Sequence, residues 1–156
     1  NKNIAFAKTD ATEEEIRNTA KMAQAEDFIE RLEDKYETII GERGVGLSGG
    51  QKQRLSLARA MIKDVPIFIL DDVTSAVDME TEKKIQEELK TIKDKKTNFI
   101  IAHRISSLKH SDLILVLNEG EVIERGSHEE LLEMKGYYYR IFETQYGDFS
   151  KEKEVV

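Results

Sequence analysis

Pro66 is followed by four consecutive apolar residues, Ile67-Phe68-Ile69-Leu70, and the run ends abruptly in two carboxylates, Asp71 and Asp72. A short uninterrupted apolar run bounded in this way is the pattern of a strand buried on both faces of a parallel sheet. A second run, Thr97 to Ala102, repeats the pattern and ends at His103, and the stretch between, Asp78 to Ile92, reads as an amphipathic helix. Strand, helix and strand in this order form a crossover, so the chain is expected to be α/β with a parallel sheet. Leu113 to Leu117 is a third strand, and Asn118-Glu119-Gly120 turns it into an antiparallel return over Glu121 to Glu124.

The residues before Pro66 have a different character. Thr12 with Glu15 is a capping box, and Ile16, Thr19, Ala20 and Ala23 form a mild apolar stripe behind it. A second helical stretch carries Phe28, Ile29 and Leu32 on one side. Five glycines between Gly41 and Gly50 then predict a loop, until a helix begins near Ser48 and buries Leu55, Leu57, Ala58, Ala60 and Met61. Ser127 and Glu130 form another capping box, and Tyr137 to Gln145 is a last helix before a charged tail expected to fray. The expected organisation is a helical part over 1–63, an α/β part over 64–136, and a C-terminal helix and tail over 137–156.

Composition narrows the function classes. No apolar run approaches the roughly 20 residues needed to cross a bilayer, and Asn1 to Lys8 does not read as a signal peptide. The chain has no cysteine, which excludes disulfides and thiolate chemistry. A formal charge of -7 argues against nucleic acid as a partner, since phosphate backbones are bound by clustered Lys and Arg. With three dispersed histidines, no zinc site is expected, and His110 and His128 read as surface residues.

Four places combine residue types that can do phosphate chemistry. Leu47-Ser48-Gly49-Gly50-Gln51 lies where a glycine-rich loop enters a helix. Open amides, a partial positive charge and small residues there suit an anion, although an ordinary capped helix has the same pattern. Asp71 ends a buried strand, where ligands bind open α/β sheets, and can hold Mg²⁺ through water; a simple loop cap is the alternative. Ser75 to Asp78 is a small turn that could equally be the cap of the next helix. His103 ends the second strand and can donate to a terminal phosphate, or it can be a structural residue.

In order and spacing, Leu47 to Arg54, Ile67 to Asp72, Ser75 to Asp78 and His103 together resemble the signature motif, Walker B strand, D-loop and switch histidine of ATP-binding-cassette ATPases. The resemblance implies a P-loop NTPase (RecA-like) sheet core with the family's helical subdomain. Ligands would be ATP and Mg²⁺, and the partner a second nucleotide-binding domain docked head to tail. It further implies that Ser48, Gly49, Gly50 and Gln51, with Leu47, complete a partner's ATP site. Asp71 would help hold the metal, Asp72 and His103 would serve hydrolysis, and Asp78 would communicate across the dimer.

Gly41-Glu42-Arg43-Gly44 resembles the loop that exporter-type members place against their transmembrane helices, although Ile39 stands where an acid is usual. Through Glu42 and Arg43 the domain would couple to those helices from the cytoplasmic side of the membrane. Ser127 to Leu132 and Tyr137-Tyr138-Tyr139 also resemble the exporter C-terminal region, and a helix with core aromatics accounts for them equally.

Two departures stand out. No Gly-x-x-x-x-Gly-Lys-Ser/Thr occurs in the sequence, so the chain is expected to be the C-terminal part of such a domain, unable to turn over ATP alone. Asp72 stands where the family usually has glutamate. Its carboxylate is set back by about 1 Å, which implies a slow or inactive site and a heterodimeric parent with one competent site. Rival readings are a chromosome-maintenance or repair ATPase head, which should continue into heptad coiled coils that are not visible here, and a non-catalytic regulatory module.

Overall fold

The structure is a computed structural model, and it describes residues 2–41, 44, 46–93 and 96–147. The chain divides into two compact units, one running to Ile101 and the other from Ala102.

In the first unit a 3-10 turn over Ile4–Ala7 precedes α1 (Glu13–Met22) and the short α2 (Glu26–Glu30). The α1 capping box forms as expected, with Thr12 Oγ1 accepting from the Glu15 amide at 3.2 Å and Glu15 accepting from the Thr12 amide at 2.8 Å. The α2 helix ends before Leu32, and a 3-10 turn over Lys35–Glu37 opens at Lys35, whose φ of 48° lies in the left-handed region. After the loop come α3 (Gly49–Met61), β1 (Ile67–Asp71), α4 (Met79–Lys93) and β2 (Thr97–Ile101). The two strands pair in parallel, with Ile67 beside Thr97 and Asp71 beside Ile101.

The core of this unit gathers Ile16 and Ala20 of α1, Phe28 and Ile29 of α2, Leu55, Leu57 and Ala58 of α3, Phe68 and Leu70 of β1, and Ile85 and Leu89 of α4. Ala60, expected on the packed side of α3, is exposed. A larger correction concerns the strands. Side chains alternate between the two faces of a strand; Phe68 and Leu70 enter the core, whereas Ile69 is 69% exposed and Phe99 57% exposed, with Ile67 and Ile101 on the same open face. The apolar run signals burial on both faces, which needs a layer on each; only one face is covered by described residues.

In the second unit β3 (Ile114–Asn118) and β4 (Glu121–Gly126) form an antiparallel hairpin with an irregular register between Val116 and Leu117. The expected turn is present: Glu119 and Gly120 both have positive φ, 49° and 85°, as a two-residue hairpin loop requires. The helices α5 (His128–Glu133) and α6 (Tyr137–Tyr146) complete the unit. Leu131, Tyr138, Ile105, Ile114 and Val116 are its core. His128, read as a surface residue, is half-buried: its Nδ1 lies 2.8 Å from the Tyr138 hydroxyl, and its ring meets Phe142 edge-on. His110 is exposed. The tail after Gly147 lies outside the described residues.

Candidate functional site

The α3 helix begins at a second capping box, where Ser48 Oγ accepts from the Gln51 amide at 3.2 Å and Gln51 Oε1 accepts from the Ser48 amide at 2.8 Å. Of the four leading amides this satisfies two; those of Gly49 and Gly50 have no acceptor among the described residues. The other helix starts all have carboxylates. Glutamates or aspartates occupy the first turns of α1, α2, α4 and α5, and the Glu124 carboxylate accepts from the amides of Tyr137 and Tyr138 at the start of α6. The first turn of α3 holds no acid. Its dipole is therefore not offset by an acid in its own first turn.

This helix start rests directly on the loop that follows β1. A Cβ placed on Gly50 would stand 2.7 Å from the carbonyl oxygen of Ala76, and one on Gly49 would stand 3.5 Å from Ala76 Cβ. Only glycine at position 50 allows so close an approach. The Gln53 carboxamide binds the same loop: Nε2 donates to the Asp72 carbonyl at 3.1 Å and to Ser75 Oγ at 2.8 Å, and Oε1 accepts from the Ala76 amide at 2.9 Å. Arg54 faces the other way. Its guanidinium donates to the Gln24 carbonyl at 2.7 Å and lies 5.0 Å over the Phe28 ring, and burial lowers its pKa from the usual value.

The structure thus brings Gly49, Gly50 and Gln53 against residues 72–77. Leu47 is half-buried against the core, and Ser48 is exposed. Asp71 is exposed at the end of β1. Asp72 is half-buried with φ of 49°, and its amide donates to the Ile101 carbonyl at 2.9 Å. Asp78 caps α4, accepting from the Thr81 amide at 2.9 Å and the Thr81 hydroxyl at 2.7 Å; these bonds, the amide's first, hold its carboxyl below the ordinary aspartate range.

His103 belongs to the second unit, where it is exposed and its carbonyl accepts from Gln145 Nε2 at 2.8 Å. Glu42 and Arg43 lie outside the described residues. The sequence alone assigned no role to Gln53, because nothing local marks a helical glutamine as a partner of a loop 19 to 23 residues away.

Among the described residues no group of three or more acidic or histidine side chains could hold a metal. A single carboxylate such as Asp71 suits Mg²⁺, which keeps several waters and takes other ligands from substrate phosphates. A cavity of about 470 Å³ lies elsewhere in the first unit and is lined by Ile4, Phe28, Ile29, Tyr36, Ile39 and Leu55 among others.

Residues 2–75 match the ABC transporter family. The chain is 56% identical over 146 residues to YknU, an ABC transporter ATP-binding protein of Bacillus subtilis, covering 94% of this chain and 25% of that protein. It is 47% identical over 154 residues to the ATP-dependent lipid A-core flippase of Legionella pneumophila, covering 99% and 26% respectively. A solved bacterial Atm1-family ABC exporter with ATP bound superposes with a TM-score of 0.86 at 42% identity, over 92% of this chain and 25% of that one. The chain thus spans about a quarter of the length of these relatives.

Proposed function

This chain belongs to the ABC transporter family, and from that premise we propose that it forms part of the ATP-driven motor of an exporter, working as one of a pair of nucleotide-binding domains. The observation that carries the reading is the α3 helix start, which has two open amides and no carboxylate of its own and is bonded to the loop bearing Asp72.

In the proposed mechanism the domains pair head to tail. Ser48 and the amides of Gly49 and Gly50 bind the terminal phosphate of an ATP held mainly by the partner domain, and Leu47 and Gln51 hold this turn in place. At the domain's own strand end Asp71 would hold Mg²⁺, which when bound would neutralise phosphate charge. Asp72 orients the attacking water and takes its proton as the bond from the γ-phosphorus to ADP oxygen breaks, and His103 donates to the terminal phosphate. The Asp78 carboxylate is committed to Thr81, so its part in communication across the dimer is to fix the turn.

Coupling to membrane helices runs through Glu42 and Arg43. Support comes from the described residues that precede them in sequence, where Ile39 is 93% exposed and the buried Thr38 Oγ1 has no hydrogen-bond partner among the described residues. No helix of the described residues is long and apolar enough to cross a membrane. The motor would act at the cytoplasmic face of a membrane carrying the transport helices, and this chain alone would not turn over ATP. Asp72 in place of glutamate supports a heterodimer with one slow and one competent site.

ATP hydrolysis by the full-length protein assembled with its partner tests the reading. Asp72→Glu should raise turnover, and Ser48→Ala or Gly49→Asp should abolish it. Gly49→Asp is the more telling variant, because position 49 has room for a Cβ and an acid at a helix start favours folding while repelling phosphate. Equal, small effects of all three would overturn the proposal.

A further inference from the structure

Gln53 uses both ends of its carboxamide on a single loop. Nε2 is shared between the Asp72 carbonyl and Ser75 Oγ, and Oε1 holds the Ala76 amide. The Asp72 carbonyl also accepts from Ser75 Oγ at 3.2 Å, while the Asp72 amide is bonded to Ile101 of β2. Both peptide groups flanking Asp72 are therefore anchored, one to the sheet and one to α3. Asp72 itself has a left-handed backbone, which a non-glycine residue keeps only when its surroundings hold it there. The direction in which its carboxylate leaves the backbone is set by these anchors.

We infer that Gln53 is a positioning residue for hydrolysis: acting through the Asp72 peptide, it fixes the direction of the Asp72 carboxylate at the domain's own strand end. This rests on the proposed role of Asp72. Gln53 is bonded to neither the Ser48 side chain nor the open amides, so its effect falls on the chemical step and not on nucleotide affinity. Two substitutions of similar length separate its functions. Gln53→Met removes all three bonds; Gln53→Glu keeps an acceptor for Ala76 but sets a carboxylate oxygen against the Asp72 carbonyl.

The test is steady-state ATP hydrolysis by the full-length assembled protein, with hydrolysis by the partner domain abolished, in two backgrounds. In the Asp72→Glu protein, both Gln53 variants should lower kcat on the order of tenfold or more, as misplaced catalytic groups do, with KM for ATP changed less than about twofold. In the Asp72→Asn protein, where no carboxylate remains to be placed, the same variants should change the residual rate by less than about twofold. Equal losses in both backgrounds, or a raised KM with kcat unchanged, would overturn the inference. If Gln53→Met does not fold, Gln53→Glu gives the same comparison. No hydrolysis by the Asp72→Glu protein with Gln53 intact would instead overturn the proposed function, and the inference with it.

Discussion

Adding one methyl group at either of two adjacent glycines should have opposite consequences. At Gly50 the new Cβ would stand 2.7 Å from the Ala76 carbonyl oxygen and 3.4 Å from both Ala76 C and Val77 Cγ1. An ordinary contact begins near 3.4 Å, so α3 and the loop must separate by up to 0.7 Å (3.4 minus 2.7). The obstacle is backbone, held by Gln53, and cannot rotate aside. Overpacking of this kind costs about 1–3 kcal/mol. Against it stands the preference of a helix for alanine over glycine, at most about 1 kcal/mol. At Gly49 the new Cβ meets Ala76 Cβ at 3.5 Å, an ordinary contact, so only the favourable part remains. The difference between Gly50→Ala and Gly49→Ala therefore isolates the clash, about 1–3 kcal/mol in favour of Gly49→Ala. Urea unfolding of the two variants, compared at a common slope, measures it. Equal stability, or Gly50→Ala the more stable, would show that α3 does not rest on this loop as described.

Two further perturbations probe the scaffold. Arg54→Met removes a charged hydrogen bond to the Gln24 carbonyl and the contact over Phe28, and should cost about 2–3 kcal/mol in the same assay; a loss below about 0.5 kcal/mol would mean that Arg54 does not tie α3 to the end of α1. Burial, the largest cause in each case, pushes the hydroxyls of Tyr36 and Tyr138 up to about 12. Unfolded tyrosines ionise near pH ~10, so the stability due to the protonated hydroxyls is complete below that pH and is lost as pH rises towards 12. Tyr36 and Tyr138, and with them Tyr139, whose hydroxyl donates to the Glu143 carboxylate, should give tyrosinate absorbance late, and Tyr138→Phe should flatten the alkaline loss; all five tyrosines titrating together near pH ~10 would contradict this.

The sequence showed most clearly what neighbouring residues decide. The capping boxes at Thr12 and Ser127 need only residues three apart, and both form; at Ser48 the ordinary helix cap, given as the alternative to an anion site, is also present. The turn at Glu119-Gly120 is local in the same sense, and β3 and β4 pair around it. What was not legible depends on distant partners. The apolar residues of β1 and β2 indicate an affinity for burial but not how many layers are present to satisfy it, which is why Ile69 and Phe99 came out exposed. His128 and Tyr138 meet only because α5 and α6 pack together, and Gln53 finds Asp72 only through the tertiary approach of α3 to the strand end. Glycine at 50 was legible as a turn residue, whereas its reason, the backbone of Ala76, was not.

In the proposed function the α3 helix start grips a phosphate presented by another domain. A cryo-EM structure of the full-length assembled protein trapped with ATP tests it most directly. A γ-phosphate oxygen should lie within about 3 Å of the Gly49 or Gly50 amide nitrogen, with Ser48 Oγ also in hydrogen-bond reach. A nucleotide-loaded, closed assembly in which those amides face water or protein, with no phosphate in contact, would contradict it.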